Sequence, residues 1–250
     1  MMTINFLIAP DFAPECFAGW HMLNTALQRR SGIGLHLLTP ANAKEQAELM
    51  AAGNVDLVYA NPFDATHMIR NHGYRPFARP KQRFDEMVIA SGMNSAIKQV
   101  EELKPGCRIA LTPNQDVRLI GLRLLEPADL TDQNITWVPV DSYQGVARLA
   151  IKGEVDAAFF LADAFASLSR LTRSQLHVLV ESAIHDISHV LLVHPRLLGE
   201  LPAIEKALLG IGQQDGDASI LEAMGLPAGF EPMNEEEAEF MIDLMDTLLD

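Results

Sequence analysis

Short apolar runs alternate with helical periods along the chain. Residues 4–9, 34–38, 55–60, 87–90, 108–111, 135–140, 155–160, 177–180 and 187–193 are strand-length runs rich in Val, Ile, Leu and Phe. Between them, apolar positions recur at helical spacing over 15–28, 44–52, a stretch opened by Pro62, 95–103, 116–125, 143–151 and 162–171. The first helix puts Phe17, Trp20, Leu23 and Leu27 on one stripe. Pro62 suits a first turn, where its missing N–H costs nothing. A basic, proline-containing stretch, 75–83, precedes the strand at 87–90. Three helices finish the chain. The last has Asn234 as N-cap and Glu237 three residues on, a capping box. Its Met233, Met241 and Met245, with Phe240, Leu244 and Leu248, read as a core face. Strand–helix alternation of this kind predicts α/β architecture built on parallel sheets.

An internal repeat divides the pattern in two. Met-Ala-Ala-Gly-Asn-Val-Asp-Leu-Val-Tyr at 50–59 aligns without a gap on Ala-Ile-Lys-Gly-Glu-Val-Asp-Ala-Ala-Phe at 150–159. Each copy reads helix, glycine stop, Val-Asp, buried strand. Two similarly built lobes follow, and ligands of such sheets sit at the carboxyl ends of the strands. Facing lobes would form a cleft lined by Asn61 and Asp163.

Charge and composition narrow the function. The 250 residues carry 33 acids against 19 bases, a net charge of −14, with 48% hydrophobic residues. That apolar fraction excludes a disordered chain, and the acidic balance argues against nucleic acid. No apolar run approaches the roughly 20 residues of a membrane span. Two cysteines, Cys16 and Cys107, rule out a disulfide scaffold or a CxxC motif. Cys16 falls in a first helical turn, where a thiolate is favoured, but its apolar neighbour Phe17 makes packing the ordinary reading. No nucleophile elbow, phosphate-binding loop or dinucleotide fingerprint occurs, and no cofactor is called for. The start of the chain lacks the basic residues of a secretory signal, with no Lys or Arg before Arg29. It is read as cytoplasmic; the doubled methionine leaves open a removed leader, which would make the protein periplasmic.

The order of elements resembles the type II periplasmic-binding-protein fold, and within it the phosphate/phosphonate-binding receptors of ABC transporters. The resemblance rests on 4–10 with the acidic turn after it and on the Gly-x-Val-Asp strand and x-Pro at 51–62. It continues with Leu-Lys-Pro-Gly at 103–106 leading into a strand and helix, the Gly-Glu-Val-Asp-Ala-Ala of 141–160, and Leu-Glu-Ala-Met-Gly-Leu-Pro-Ala-Gly-Phe at 221–230. It implies two lobes, each a mostly parallel sheet flanked by helices, joined by two hinge segments near 86–91 and 187–192. Lobe one would comprise 1–88 and 191–250, and lobe two 89–190. The lobes would close on a small oxyanion, with an ABC permease or a signalling protein as partner.

The family holds its anion with hydroxyls and N–H groups at a helix N-terminus, chemistry that needs no buried cation. By this resemblance the matching positions are Asn114, Gln115 and Asp116, preceded by Thr112, with Arg118 the nearest cation. A family tyrosine falls at Ala65, beside Asp64, and a family histidine at Tyr143, beside Ser142. The candidate ligand-binding set is Asp11, Asn61, Asp64, Thr112, Asn114, Gln115, Asp116, Ser142, Tyr143 and Asp163. Asp64 and Asp116 admit two readings: outward helix-start acids, or an acidic cleft for a neutral, cationic or metal-bearing ligand.

Eight histidines are present. His67 and His72 are five apart, a spacing that places them on different helix faces, and His185 and His189 sit in or beside the 187–193 strand. Neither pair carries the partners of a zinc motif, and His21 is the one histidine expected near a cleft mouth. A solute-binding protein is the leading reading. The alternatives are a cytoplasmic enzyme of the same fold acting on a small acid, with Asp64, Asp116 and Tyr143 as its only acid–base candidates, and a sensor or interaction protein with a degenerate cleft.

Overall fold

The computed structural model describes residues 4–10, 12 and 14–249 and divides into two α/β units. The first unit comprises Met1–Phe84 and Asp186–Met245, the second Asp85–His185 and Asp246–Asp250. The chain therefore changes units at 84/85, 185/186 and 245/246, the first two just before the segments 86–91 and 187–192 expected from the sequence as hinges. Most of those expected hinge residues belong to strands, each held in its own sheet.

In the first unit, strands β1 (Ile4–Ile8), β2 (Leu35–Leu38), β3 (Leu57–Ala60), β4 (Arg75–Pro80), β10 (Val190–Val193) and β11 (Phe230–Pro232) form a sheet of order β11-β4-β10-β3-β1-β2. The pairings make β1 to β4 run one way and β10 and β11 the other. In the second, β5 (Met87–Gly92), β6 (Arg108–Leu111), β7 (Thr136–Pro139), β8 (Ala157–Leu161) and β9 (Leu176–Glu181) take the order β7-β6-β8-β5-β9, with β5 alone reversed. Each sheet is thus mostly parallel in direction, with an antiparallel strand beside the third parallel one; the first sheet carries a second reversed strand, β11, at its edge.

The central strands are apolar on both faces because both are covered. Ile4, Phe6, Ile8, Leu57, Tyr59, Leu191 and Val193 enter one core, packed by α1 (Phe17–Ser31), α8 (Leu201–Leu209) and α9 (Asp217–Ala223). The alternate residues Leu7, Val58, Ala60, Val190 and Leu192 enter a second core, against α3 (Pro62–His72) and α10 (Glu235–Leu249). In the second unit Val88, Ala110, Ala158 and Phe160 pack on α5 (Tyr143–Ile151). The Asn234–Glu237 capping box forms, both bonds at 2.9 Å.

The repeat is structural. Helix α2 (Ala43–Ala51) and α5 lie one hundred positions apart, capped by Asn42 and Ser142, and Gly53 and Gly153 turn at φ +71° and +68°. The shared spacing of Val-Asp in the two copies has a physical consequence. Asp56 accepts the N–H of Asn5 at the amino end of β1, and Asp156 accepts that of Arg108 at the amino end of β6, both at 2.7 Å. Each aspartate thereby fixes the register of two parallel strands at the amino-terminal edge of its sheet. Asp56 is more deeply buried and also accepts Arg196 Nε at 2.6 Å. Asp56→Ala should therefore cost about 2 kcal/mol and Asp156→Ala about 1 kcal/mol in urea unfolding; equal losses would refute this account of their roles.

Several expected elements differ. Residues 95–103 form only a short 3-10 turn, Val100–Glu102. Ser95 Oγ accepts the N–H of Ile97, and Glu102 accepts those of Lys98 and Gln99, so side chains take the amides a helix would use. The helix expected over 162–171 breaks into α6 (Ala162–Ser167) and α7 (Arg170–Arg173), because buried Leu168 is extended and Ser169 caps anew. The basic stretch contains β4, whose Pro76 sits beside a register shift and whose Pro80 ends the strand. Phe17 and Phe240 are not core residues, being 47% and 59% exposed. His189 lies just before β10 rather than inside it.

Candidate functional site

In the second unit, β7, β6 and β8 are adjacent and parallel, so their carboxyl ends form one edge. Helix α4 (Gln115–Leu124) starts there after β6, α5 after β7 and α6 after β8. The sequence-selected residues fall on these three turns. Thr112 follows β6 directly, and its carbonyl accepts Asn114 N–H at 2.8 Å, closing a tight turn. Asn114 caps α4 through Oδ1, which accepts Val117 N–H at 3.1 Å. Gln115 is exposed, whereas Asp116 is buried, only 3% exposed. Ser142 is exposed and caps α5, Tyr143 opens that helix half-buried, and Asp163 is exposed near the start of α6. The Tyr143 ring meets Phe160 at 6.1 Å, and Phe160 meets Phe165 at 5.3 Å, an aromatic floor beneath the turn.

One atom stands out. Thr112 Oγ1 is buried and has no hydrogen-bond partner among the described residues. Leaving a buried hydroxyl unpaired costs about 1–3 kcal/mol, and this one lies just before the N-terminus of a ten-residue helix, where orphan amides and the helix dipole favour an anion.

In the first unit, β2, β1 and β3 end together in the same way. Asn61 follows β3 and caps α3, its Oδ1 accepting Asp64 N–H at 2.8 Å. The Asp64 carboxylate accepts Asn61 Nδ2 at 3.1 Å and Gln46 Nε2, from α2, at 2.5 Å. Asp11 lies outside the described residues.

The outward reading therefore fails for Asp116, which is buried, and Asp64 is a half-buried acceptor between two helices. Arg118 is not a free cation for a ligand. It pairs with Asp132, which also accepts Trp137 Nε1 at 2.9 Å, and it lies 5.2 Å over the Trp137 ring. His21 is exposed against Phe17, their rings 4.7 Å apart. Burial pushes the Cys16 thiol up; Arg83 only partly opposes this and Glu15 adds to it, so no thiolate is favoured there. Among the described residues, no group of three or more His, Cys, Asp or Glu is placed to hold a metal ion.

Sequence reading missed Gln46, buried with Oε1 unpartnered among the described residues, and the tilted contact of Trp20 with Tyr59 (4.6 Å) and the stack of Tyr59 on His189 (4.9 Å) near the end of β3. The repeat offered a signal for Gln46, which occupies the fourth helical position of α2 in a turn-start matching that of α5.

Paired α/β units with helix N-termini gathered at the carboxyl edges of their sheets define the type II periplasmic-binding-protein fold. The family profile described as ABC transporter, phosphonate, periplasmic substrate-binding protein matches residues 6–238, and the chain belongs to that family. It is a solute-binding protein of the phosphonate transporter class. The family is one of transport receptors rather than enzymes, works with a small-molecule ligand and a permease, and is periplasmic.

Solved structures agree on the fold. A binding-protein component of an ABC phosphonate transporter from Pseudomonas aeruginosa superposes with a TM-score of 0.80 at 14% identity, covering 98% of this chain and 86% of that one. PhnD1 from Prochlorococcus marinus in complex with methylphosphonate gives 0.81 at 12%, covering 99% and 98%. The periplasmic aliphatic sulphonate binding protein SsuA from Escherichia coli gives 0.64 at 18%, covering 98% and 87%. No curated protein sequence matches the chain. Among the described residues, no helix is long and apolar enough to cross a membrane.

Proposed function

We propose that the chain captures a phosphonate- or phosphate-class oxyanion in the periplasm and delivers it to a permease. The anion is held in the second unit by Thr112, the N-terminal amides of α4 beside Asn114 and Gln115, and Ser142 and Tyr143 on the neighbouring turn. Asp163 borders the same edge. The observation that carries this reading is the buried, unpartnered Thr112 hydroxyl beside a helix N-terminus. A ligand oxygen satisfies it without a buried cation, which suits a turn whose nearest arginine is committed elsewhere. In the first unit, Asn61 and Asp64 form the corresponding candidate edge.

Thr112→Val tests the reading because it keeps the shape and removes the hydroxyl. Its apo-protein should unfold at the wild-type temperature or slightly above, since an unsatisfied group is lost. Affinity for methylphosphonate or phosphate, by isothermal titration, should fall about tenfold. Unchanged affinity would remove Thr112 from the site. A thermal-shift panel of phosphate, methylphosphonate, phosphite, sulfate and amines identifies the ligand class. A true ligand at a hundred times its Kd adds about 2.7 kcal/mol.

A further inference from the structure

His67 and His72 were expected on different faces of their helix. In the structure both are exposed on α3, and their rings swing towards each other across its last turn, with centres 5.1 Å apart and planes inclined at 57°. We propose that this pair is a surface site for a divalent transition-metal ion, ligated by the two imidazoles and completed by water.

The spacing is the first argument. Two imidazoles binding one Zn²⁺ or Ni²⁺ through nitrogens at about 2.1 Å, at tetrahedral or octahedral angles, have ring centres about 5 Å apart. The observed separation needs no movement of the helix, only rotation of exposed rings.

The setting is the second. His72 is the last residue of α3, so the site lies at the negative end of the helix dipole, where cations are favoured. The opposing charge is Arg70, one turn after His67, and it is drawn away towards Asp243 on α10 at 3.8 Å. A net charge of −14 further favours cation approach. Imidazole is a well-matched ligand for Zn²⁺, Ni²⁺ and Cu²⁺. The site does not depend on the ligand assignment, because its residues take no part in the proposed oxyanion edge.

Titration of the untagged full chain with NiCl₂ or ZnCl₂, against a chromophoric chelator, tests it. One equivalent should bind, and His67→Ala and His72→Ala should each weaken binding by about tenfold or more. His36→Ala, an exposed histidine on β2, should bind as wild type. Both site variants should keep the wild-type unfolding temperature without metal, and the metal should raise that temperature only where both histidines remain. Absence of uptake, or uptake that survives either substitution, would overturn the proposal.

Discussion

Asp217→Asn is expected to lower the stability of the first unit by about 3 kcal/mol at neutral pH, and by much less in acid. Asp217 opens α9, is 2% exposed, and accepts Arg30 Nη2 at 2.5 Å as well as the N–H groups of Gly212 and Gln214 at 2.9 and 3.0 Å. Arg30, near the end of α1, also donates to Gly210 O at 3.0 Å. One carboxylate therefore ties the first helix to the link between α8 and α9. Asparagine removes the charge, keeps one acceptor oxygen and leaves a mostly buried guanidinium uncompensated.

Burial alone would raise the Asp217 pKa, but the bond from Arg30 and the two backbone N–H groups outweigh it and hold the carboxyl below the usual carboxylate range. The pH dependence follows. A carboxyl with a lower pKa when folded than when unfolded stabilises fully above about pH 5. That contribution is lost as the pH falls through the folded value. Urea unfolding of wild type and Asp217→Asn should differ most at pH 7 and converge towards pH 3. A constant gap across that range, or no gap at pH 7, would refute the assignment.

The frame was legible in the sequence wherever buried strands met regular helices. Helix α5 and strand β6 fall at their expected residues, and the one-hundred-residue repeat is realised in caps, glycine turns and aspartate clamps. Periodicity failed where side chains compete with the backbone for its amides, as Ser95 and Glu102 do, and where Ser169 starts a new turn after buried Leu168. Prolines hid β4 and β11, because an antiparallel strand towards the sheet edge tolerates them where a central one does not. At the site, residue types predicted the turns and caps. They could not foretell that Asp116 is buried, that Arg118 is held by Asp132 and Trp137, or that His67 and His72 meet. Those are facts of rotamer and packing, and spacing carries no information about them.

Gly19→Val should destabilise the first unit by about 3 kcal/mol. Gly19 lies inside α1, where glycine is otherwise unfavourable by about 1 kcal/mol, so its presence has to be explained by contact. A Cβ there would lie 2.5 Å from the backbone of Ala223 and Met224, at the end of α9. Backbone cannot rotate aside as a side-chain tip can, so α1 must lift off α9 and open the core around Leu221 and Met224. Alanine regains helix propensity and should cost about 1–2 kcal/mol net. Gly34→Ala is the control. Nothing lies within 4 Å of the added carbon, and stability should stay within about 0.5 kcal/mol of wild type. The displacement would also carry Trp20, the next residue, away from its ring contact with Tyr59. In a Trp137→Phe background, where Trp20 is the sole tryptophan, its emission should change in Gly19→Val and stay constant in Gly34→Ala. Loss of stability with unchanged emission would mean that α9, not α1, gives way, leaving the start of the first helix and the strand ends beside it undisturbed.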